Sequence, residues 1–521
     1  MLRWEILSSC PKSKALRSLW LKLFRTLKAS PLPAPAFLSA CAMAATSAAL
    51  RSFDSVPSLG KAFVFLARSK LCSTLMQKGS EHPRMFKMHL GPQTACVVTH
   101  PELARSVLTR PKDFIKMEVP RNTASALDNL LQRSKDGTAS VLMTNGQDWA
   151  TQRKPVDPAF EKQALRNLLP KFNDCSDRLL ETWRGADEVD AKQDMSRFAL
   201  DVLGSAMLGQ TFGAIDGTFT DSYEHYKYIM LEQTNPVYMS FPFLERLPTS
   251  RNRRMREAVH HMHGVLQGAI DARVQLRKDQ QAAGTLSDEP QDMLDMLLGP
   301  GVDVPADGVL PTEGALLPML WIFFIAGHDT TAISLAWILY YLAKYPEVQR
   351  KAREEAQQLL AGRKDPTPED LDNVPYLSAV INEGLRVRPP IFNLYTRQAA
   401  HDTELDGVLV PKGTGISLHI GAINKHPEVW GEAEDFNPER FLKEKQPRVF
   451  HNLPFSAGPR RCLGDKFSLM EQKSLLLKLL TQYEVLPHES TLDGDKNFTS
   501  TMTGFIFLQP DNIKVRLQAV Q

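Results

Sequence analysis

Residues 455–464, FSAGPRRCLG, constrain this chain more tightly than any other stretch. They hold one cysteine, Cys462, and an apolar helix-forming run, residues 467–480, follows at once. The thiolate is the form of cysteine that binds metal, and a positive, hydrogen-bonding setting favours it. Arg460 and Arg461 supply that charge. Gly458 and Gly464 accept dihedrals that other residues resist, so the backbone can turn closely round the sulfur. On these residues alone two readings stand. Cys462 is an axial thiolate for a haem iron, held at a helix N-terminus, or it is a buried loop cysteine ahead of a helix.

The other cysteines, Cys10, Cys41, Cys72, Cys96 and Cys175, are scattered and form neither a CxxC pair nor a zinc spacing. That pattern suits reduced thiols in a compartment facing the cytosol, or a similar one. The chain has 521 residues, but no long low-complexity linker and no internal repeat divides it. Length alone is a soft guide to domain number, and one large, mainly helical domain is expected. A hydrophobic content of 43% is enough for a sizeable core. A net charge of +3 gives no case for a nucleic-acid partner.

Residues 1–53 carry eight Lys/Arg and one acid, Glu5. Leu16, Leu19, Trp20, Leu23 and Phe24 recur at helical spacing among the basic residues, which suits a membrane surface or an organelle presequence. The uncharged run 29–50 is long enough to cross a bilayer. It is rich in Ala and Ser and carries Pro31, Pro33 and Pro35, so it is a marginal span. Positive charge ahead of it conflicts with a cytosolic catalytic domain behind it. A membrane anchor, a cleaved presequence and a disordered extension all remain open.

Further on, residues 86–99 read as two short strands around Gly91-Pro92, and His100-Pro101 opens a helix. Trp149 and Arg153 are four apart and share a helix face. Residues 235–248 are apolar and aromatic, with Arg251, Arg253, Arg254 and Arg256 behind them. They are either a packed loop with a solvated helix start or a hairpin dipping into an anionic membrane surface. Residues 282–307 are an exposed connection with one helical turn. Residues 313–345 form a long apolar helical pattern containing AGHDTT, Ala326 to Thr331. Thr can bond the carbonyl four residues back and bend a helix, and Gly327 weakens the helix there. The motif is either a locally opened helix able to hold water or a polar feature of a core helix. Trp321, Phe323 and Phe324 upstream line a pocket or fill the core. Glu383 and Arg386 are three apart on a helix, and Arg440 follows in the loop FNPERF.

The spacing Phe455-x-x-Gly458-x-Arg460-x-Cys462-x-Gly464 resembles the haem-binding loop of the cytochrome P-450 family, the haem-thiolate monooxygenases. The WxxxR helix, AGHDTT, ExxR, PERF and the cysteine loop stand in that family's order, from about Phe53 to the C-terminus. The opening segment departs from the usual apolar anchor and proline-rich hinge. The resemblance implies a mainly α fold with small β-sheets, one large cytochrome P-450-type domain over residues 54–521. Residues 1–53 precede it as a targeting or membrane-anchor segment.

By the same resemblance Cys462 ligates the iron of haem b as its axial thiolate. Phe455, Gly458 and Gly464 shape the loop, and Trp149, Arg153, Arg397 and Arg460 meet the haem propionates. Thr330 delivers a proton at the haem and Asp329 relays protons from solvent. Glu383, Arg386 and Arg440 form a buried structural ion network. Residues 389–394 with Phe392, and residues 501–508 with Phe505 and Phe507, approach the substrate. Arg133, Lys154, Arg461 and Lys466 form a basic face for an acidic electron donor. The implied reaction inserts one oxygen atom from O2 into a lipophilic molecule, a terpenoid, sterol, fatty acid or secondary metabolite. Electrons derive from NAD(P)H through NADPH-cytochrome P-450 reductase or a ferredoxin-type donor. A membrane-associated site is expected, at the endoplasmic reticulum or, by a presequence, in a mitochondrion or plastid. Two rivals are an electron-independent peroxide isomerase or dehydratase of the same fold, and a haem-binding sensor without turnover.

Overall fold

A computed structural model describes residues 51–58, 81–90, 93–117, 140–218, 220–232, 242–286, 290–298, 313–442, 449–489, 500–503, 507–510 and 512–520. The leader up to residue 50, Arg133, residues 235–241, residues 299–307 and Phe505 lie outside the described residues.

β1 (Met85–Leu90) and β2 (Gln93–Val98) form the expected antiparallel hairpin. α1 (Pro101–Thr109) begins at a proline, and the His100 ring caps it by accepting the Glu102 N–H at 3.2 Å. β3 (Phe114–Lys116) follows, then α2 (Gly146–Arg153), α3 (Lys162–Thr182), α4 (Ala191–Leu208), α5 (Thr220–Glu232) and α6 (Ser250–Ala282). α7 (Glu313–Lys344) and α8 (Pro375–Val387) come next. β4 (Leu394–Ala399) and β5 (Gly415–Leu418) precede α9 (Asp465–Gln482). β6 (Ser500–Thr503) and β7 (Phe507–Pro510) pair antiparallel near the C-terminus.

Helices dominate and the sheets are small. The largest has five strands in the order β1-β2-β5-β4-β3. Arg51 and Ser52 already belong to the folded body, pairing parallel with Val408 and Leu409.

α7 is apolar all round because it runs through the interior. Its window Leu316–Lys344 passes a length-and-hydropathy test for a membrane span, but 78% of that window is buried in protein. A helix hydrophobic on every face belongs in a core or a bilayer, and here the core claims it. α4 packs closely on it at Gly327, where a Cβ would lie 3.0 Å from Leu203 Cδ1. α9 is buried along much of its length, with Phe467 edge-on to Phe172 of α3 at 5.0 Å.

Trp321 and Phe324 prove to be core residues. Trp321 is fully buried and stacks on Phe324, whose ring also meets Phe212 and Tyr226 edge-on.

Candidate active site

The cysteine loop is built by backbone geometry. Gly458 has φ +74°, and a Cβ there would meet Leu108 O at 2.6 Å. Only glycine adopts that conformation without strain and leaves room for the approaching α1 carbonyl. A 3-10 turn over Gly458–Arg460 then carries the chain to Cys462, whose N–H donates to Phe455 O at 2.9 Å. Gly464, at φ −88°, caps α9.

Cys462 has open surface yet is surrounded by protein atoms, as a group lining an interior cleft is. Burial pushes its thiol up to about 11, against a backbone hydrogen bond at Gly464 and the charges of Arg153 and Arg461. The protein alone therefore leaves the sulfur protonated near neutrality. A bound metal cation would turn it into a thiolate, because ligation releases the proton.

Beside this loop three basic side chains converge. Lys116 on β3 stands directly opposite Arg397 on β4. Opposite residues share a face of the sheet, and like charges placed so are destabilising. A register shift between Tyr395 and Arg397 marks a bulge here, a device that re-aims side chains next to sites. Lys116 is only 6% exposed. Burial pulls its pKa well down, and the neighbouring charges named by geometry, Arg397 and Arg460, push it the same way.

Burial lowers Arg397 to about 10; its Nη1 donates to Phe114 O at 3.0 Å, and Nε has no partner among the described residues. Arg460 is lowered to about 10 by burial, helped by Arg397 and Arg153. It donates to the carbonyls of Val141 and Thr144, and its guanidinium covers the Trp149 ring at 4.3 Å. Buried charges are normally paired. Arg397 and Arg460 pair with no acid among the described residues, and haem carries two propionates. The residues fit that group.

The other expected residues lie on α2, α7, α9, β7 and the loops between them. Arg153 pairs with Asp157 and donates to Arg461 O at 3.4 Å, tying α2 to the cysteine loop. Thr330 Oγ donates to Ala326 O at 2.8 Å, and Ala326 beside it is exposed, so α7 has an open side here. Asp329 points elsewhere, accepting from Tyr226 O–H at 2.9 Å. Phe392 is buried, and a Cβ on Gly421 would collide with its ring at 2.1 Å. Phe507 is buried too, and it bridges to Ile391 through the backbone. Arg461 pairs with Asp465 at 2.5 Å, Lys466 with Glu161 at 2.6 Å, and Lys154 is exposed.

Glu383 and Arg386 have fully buried side chains and share two hydrogen bonds, at 2.7 and 2.8 Å. Arg440 adds a third contact to Glu383 at 3.3 Å. Sequence reasoning missed Lys116 altogether. A lone lysine in a three-residue strand carries no local signal; only its register against Arg397 reveals it.

A family model described as cytochrome P-450 matches residues 51–516. Cytokinin hydroxylase from Arabidopsis thaliana is 32% identical over 352 residues, 66% of this chain and 66% of that one. Cyclooctat-9-en-7-ol 5-monooxygenase from Streptomyces melanosporofaciens is 29% identical, over 79% of this chain and 84% of its own. Among solved structures, the haem domain of cytochrome P-450DA superposes with a TM-score of 0.74 at 21% identity, covering 91% of this chain and 98% of that one. That last likeness is one of fold.

Proposed function

Because this chain belongs to the cytochrome P-450 family of monooxygenases, we propose that it oxidises a lipophilic small molecule, inserting one atom of O2 with electrons from a separate NAD(P)H-dependent partner. The observation that carries the reading is the pair Arg397 and Arg460, which meet no acid among the described residues, on the flank of the Cys462 loop. Two relatives are named for hydroxylating or oxygenating small organic molecules, which supports the substrate class.

When bound, a haem supplies the oxygen chemistry. The chain's own residues do the rest. Cys462 is the residue to hold the iron, and Lys116, Arg397 and Arg460 are those to neutralise the propionates, Arg's fork of donors matching a carboxylate. Trp149 braces Arg460, and Arg153 anchors the loop from α2. Thr330 holds a hydroxyl at the open turn of α7, the place to pass on a proton. Asp329 is the acid that feeds it. Glu383, Arg386 and Arg440 keep the proximal scaffold rigid. Phe392 and Phe507 back the apolar side of the pocket. The basic segment ahead of Arg51 serves as a membrane anchor or targeting leader, and Arg461, Lys466 and Lys154 face an acidic redox partner.

The test is the reduced, carbon-monoxide-bound absorption spectrum of the purified protein beside Cys462→Ser. A strongly red-shifted Soret band in the wild type, lost in the variant, is expected. A haem-free wild type, or a spectrum that the substitution leaves unchanged, overturns the ligand assignment.

A further inference from the structure

Asp329 and Thr330 are neighbours in the chain, but their side chains leave α7 differently. Thr330 hydrogen-bonds back to Ala326 O. Asp329 is 9% exposed and turned toward α4 and α5. Its Oδ2 accepts from the O–H of Tyr226, a residue of α5 that is itself 1% exposed. Burial first, then the Asp329 charge, drive the Tyr226 phenol well above its usual range, so this donor keeps its proton.

The other oxygen, Oδ1, lies 3.3 Å from His328 Nδ1. His328 Nε2 reaches Ser196 O on α4 at 3.0 Å. A carbonyl only accepts, so Nε2 carries the ring proton, and a neutral His328 turns a bare Nδ1 lone pair toward the carboxylate. Nδ1 makes no hydrogen bond with the described residues. Ser196 Oγ sits 2.8 Å from the same Nε2 and 2.8 Å from Tyr223 OH, also on α5. Among the described residues, the titratable and charged groups around Asp329 are Tyr226 and Tyr223 on α5 and His328 on α7. Arg197 of α4 and Glu224 of α5 stand further out against Tyr223.

We propose that Tyr226 and His328 are positioning residues that set how Asp329 is presented to the pocket. Tyr226 holds the carboxylate off the pocket, and release of that one tether lets Asp329 serve Thr330. His328 offers the carboxylate no donor; its Nδ1 can only accept, and so holds Asp329 only when that carboxyl carries a proton. The step is a proton transfer only. A proton leaves an Asp329 oxygen for Thr330 Oγ, the Thr330 hydroxyl proton passes into the pocket, and solvent reprotonates the carboxylate. No electron moves. Because the tether sits on α5, any displacement of that helix from α7 opens the route. The proposal rests on the monooxygenase reading above.

The experiment uses the full-length, haem-loaded chain. An infrared difference between wild type and Asp329→Asn identifies the Asp329 carboxylate band. Tyr226→Phe is expected to shift that band. With a reductase, NADPH and no organic substrate, the same variant is expected to raise the proton-limited rate of NADPH consumption by about tenfold or more, the factor for losing one hydrogen bond to a carboxylate. Its solvent deuterium isotope effect falls toward one, and its pH profile moves. His328→Asn places an amide donor where Nδ1 has only a lone pair, so it tightens the hold and slows the same step. A Tyr226→Phe band and isotope effect identical to wild type overturn the proposal, as do variants that alter only the thermal midpoint. The infrared band does not depend on turnover, and failure of the monooxygenase reading shows separately, as a missing thiolate Soret band.

Discussion

Replacing Glu383 by Gln removes one charge from an ion pair whose two side chains are both fully buried and keeps its shape. Glu383 accepts from Arg386 Nε and Nη2 at 2.7 and 2.8 Å, from the Asn437 N–H at 2.8 Å and from Arg440 at 3.3 Å. Arg386 spends its other donors on the carbonyls of Ala433 and Asp435, at 2.7 and 2.9 Å. Those carbonyls satisfy hydrogen bonds but not charge. Gln at 383 retains one acceptor, turns an N–H₂ toward groups that are already donors, and leaves the guanidinium without its anion. Breaking a buried pair this way costs about 3–5 kcal/mol. The bridge Lys351–Glu439, with side chains 47% and 44% exposed, is the control. An exposed pair of that kind is worth about 0–1 kcal/mol. Unfolding entropy of about 2.1 cal/mol/K per residue over 521 residues comes to roughly 1.1 kcal/mol/K. A loss of about 4 kcal/mol then lowers the midpoint by about 4 °C, and Lys351→Ala lowers it by less than about 1 °C. Calorimetry of the haem-loaded proteins at one scan rate reads both. If Glu383→Gln moves the midpoint no further than Lys351→Ala, the argument that a buried charge has been orphaned is wrong.

Three further outcomes follow from the same geometry. Gly458→Ala forces a left-handed residue, at about 1–2 kcal/mol, and drives a Cβ to 2.6 Å from Leu108 O, so haem content after gel filtration drops. Gly464→Ala, whose Cβ would meet nothing nearer than Phe160 at 4.0 Å, retains it. Glu471 is 1% exposed, and burial raises its carboxyl well above the usual range. The folded state therefore binds a proton that the unfolded chain releases above about pH 4.3, and stability falls as pH rises through that window. Glu471→Gln removes the penalty: its denaturation midpoint should exceed that of wild type by a margin growing from about pH 4.5 upward. A constant margin contradicts the assignment. Arg397→Gln relieves repulsion with Lys116 and removes a propionate partner. Urea titration of haem-stripped protein should show it no less stable than wild type, while haem titration shows weaker binding.

The fold was legible wherever the signal is local. α7 and α9 are long apolar runs, β1 and β2 pair as the expected hairpin, and α1 begins at its proline. The cysteine loop was legible because glycine, proline and arginine at fixed offsets around a cysteine state a backbone requirement as well as a chemistry. Lys116 was not, because its meaning lies in strand register with a residue far along the chain. Tyr226 was not, because a tyrosine on a helix reads as packing until the partner of its hydroxyl is known. Trp321 and Phe324 show the reverse error of scale. Their pattern suits pocket or core equally, and only the close approach of α4 and α5 to α7 decides for core.

The cation cluster also explains why the cofactor belongs to the fold rather than resting on it. Arg397 and Arg460 are held in place by strand pairing, a bulge and carbonyl hydrogen bonds, and neither meets an acid among the described residues. Each is shifted toward losing its proton, Arg397 by burial alone. Cys462 is shifted the opposite way, toward keeping its proton. Both shifts are costs that burial imposes on the charged forms. A metal centre bearing two carboxylates relieves both at once, since its cation takes the sulfur and its anions take the guanidinium and ammonium groups. Anything that binds only the folded state stabilises it by mass action, and here the gain includes relief of repulsion already built into the sheet. Folding and cofactor capture are therefore coupled through one five-stranded sheet and one loop, and a substitution in either registers in both.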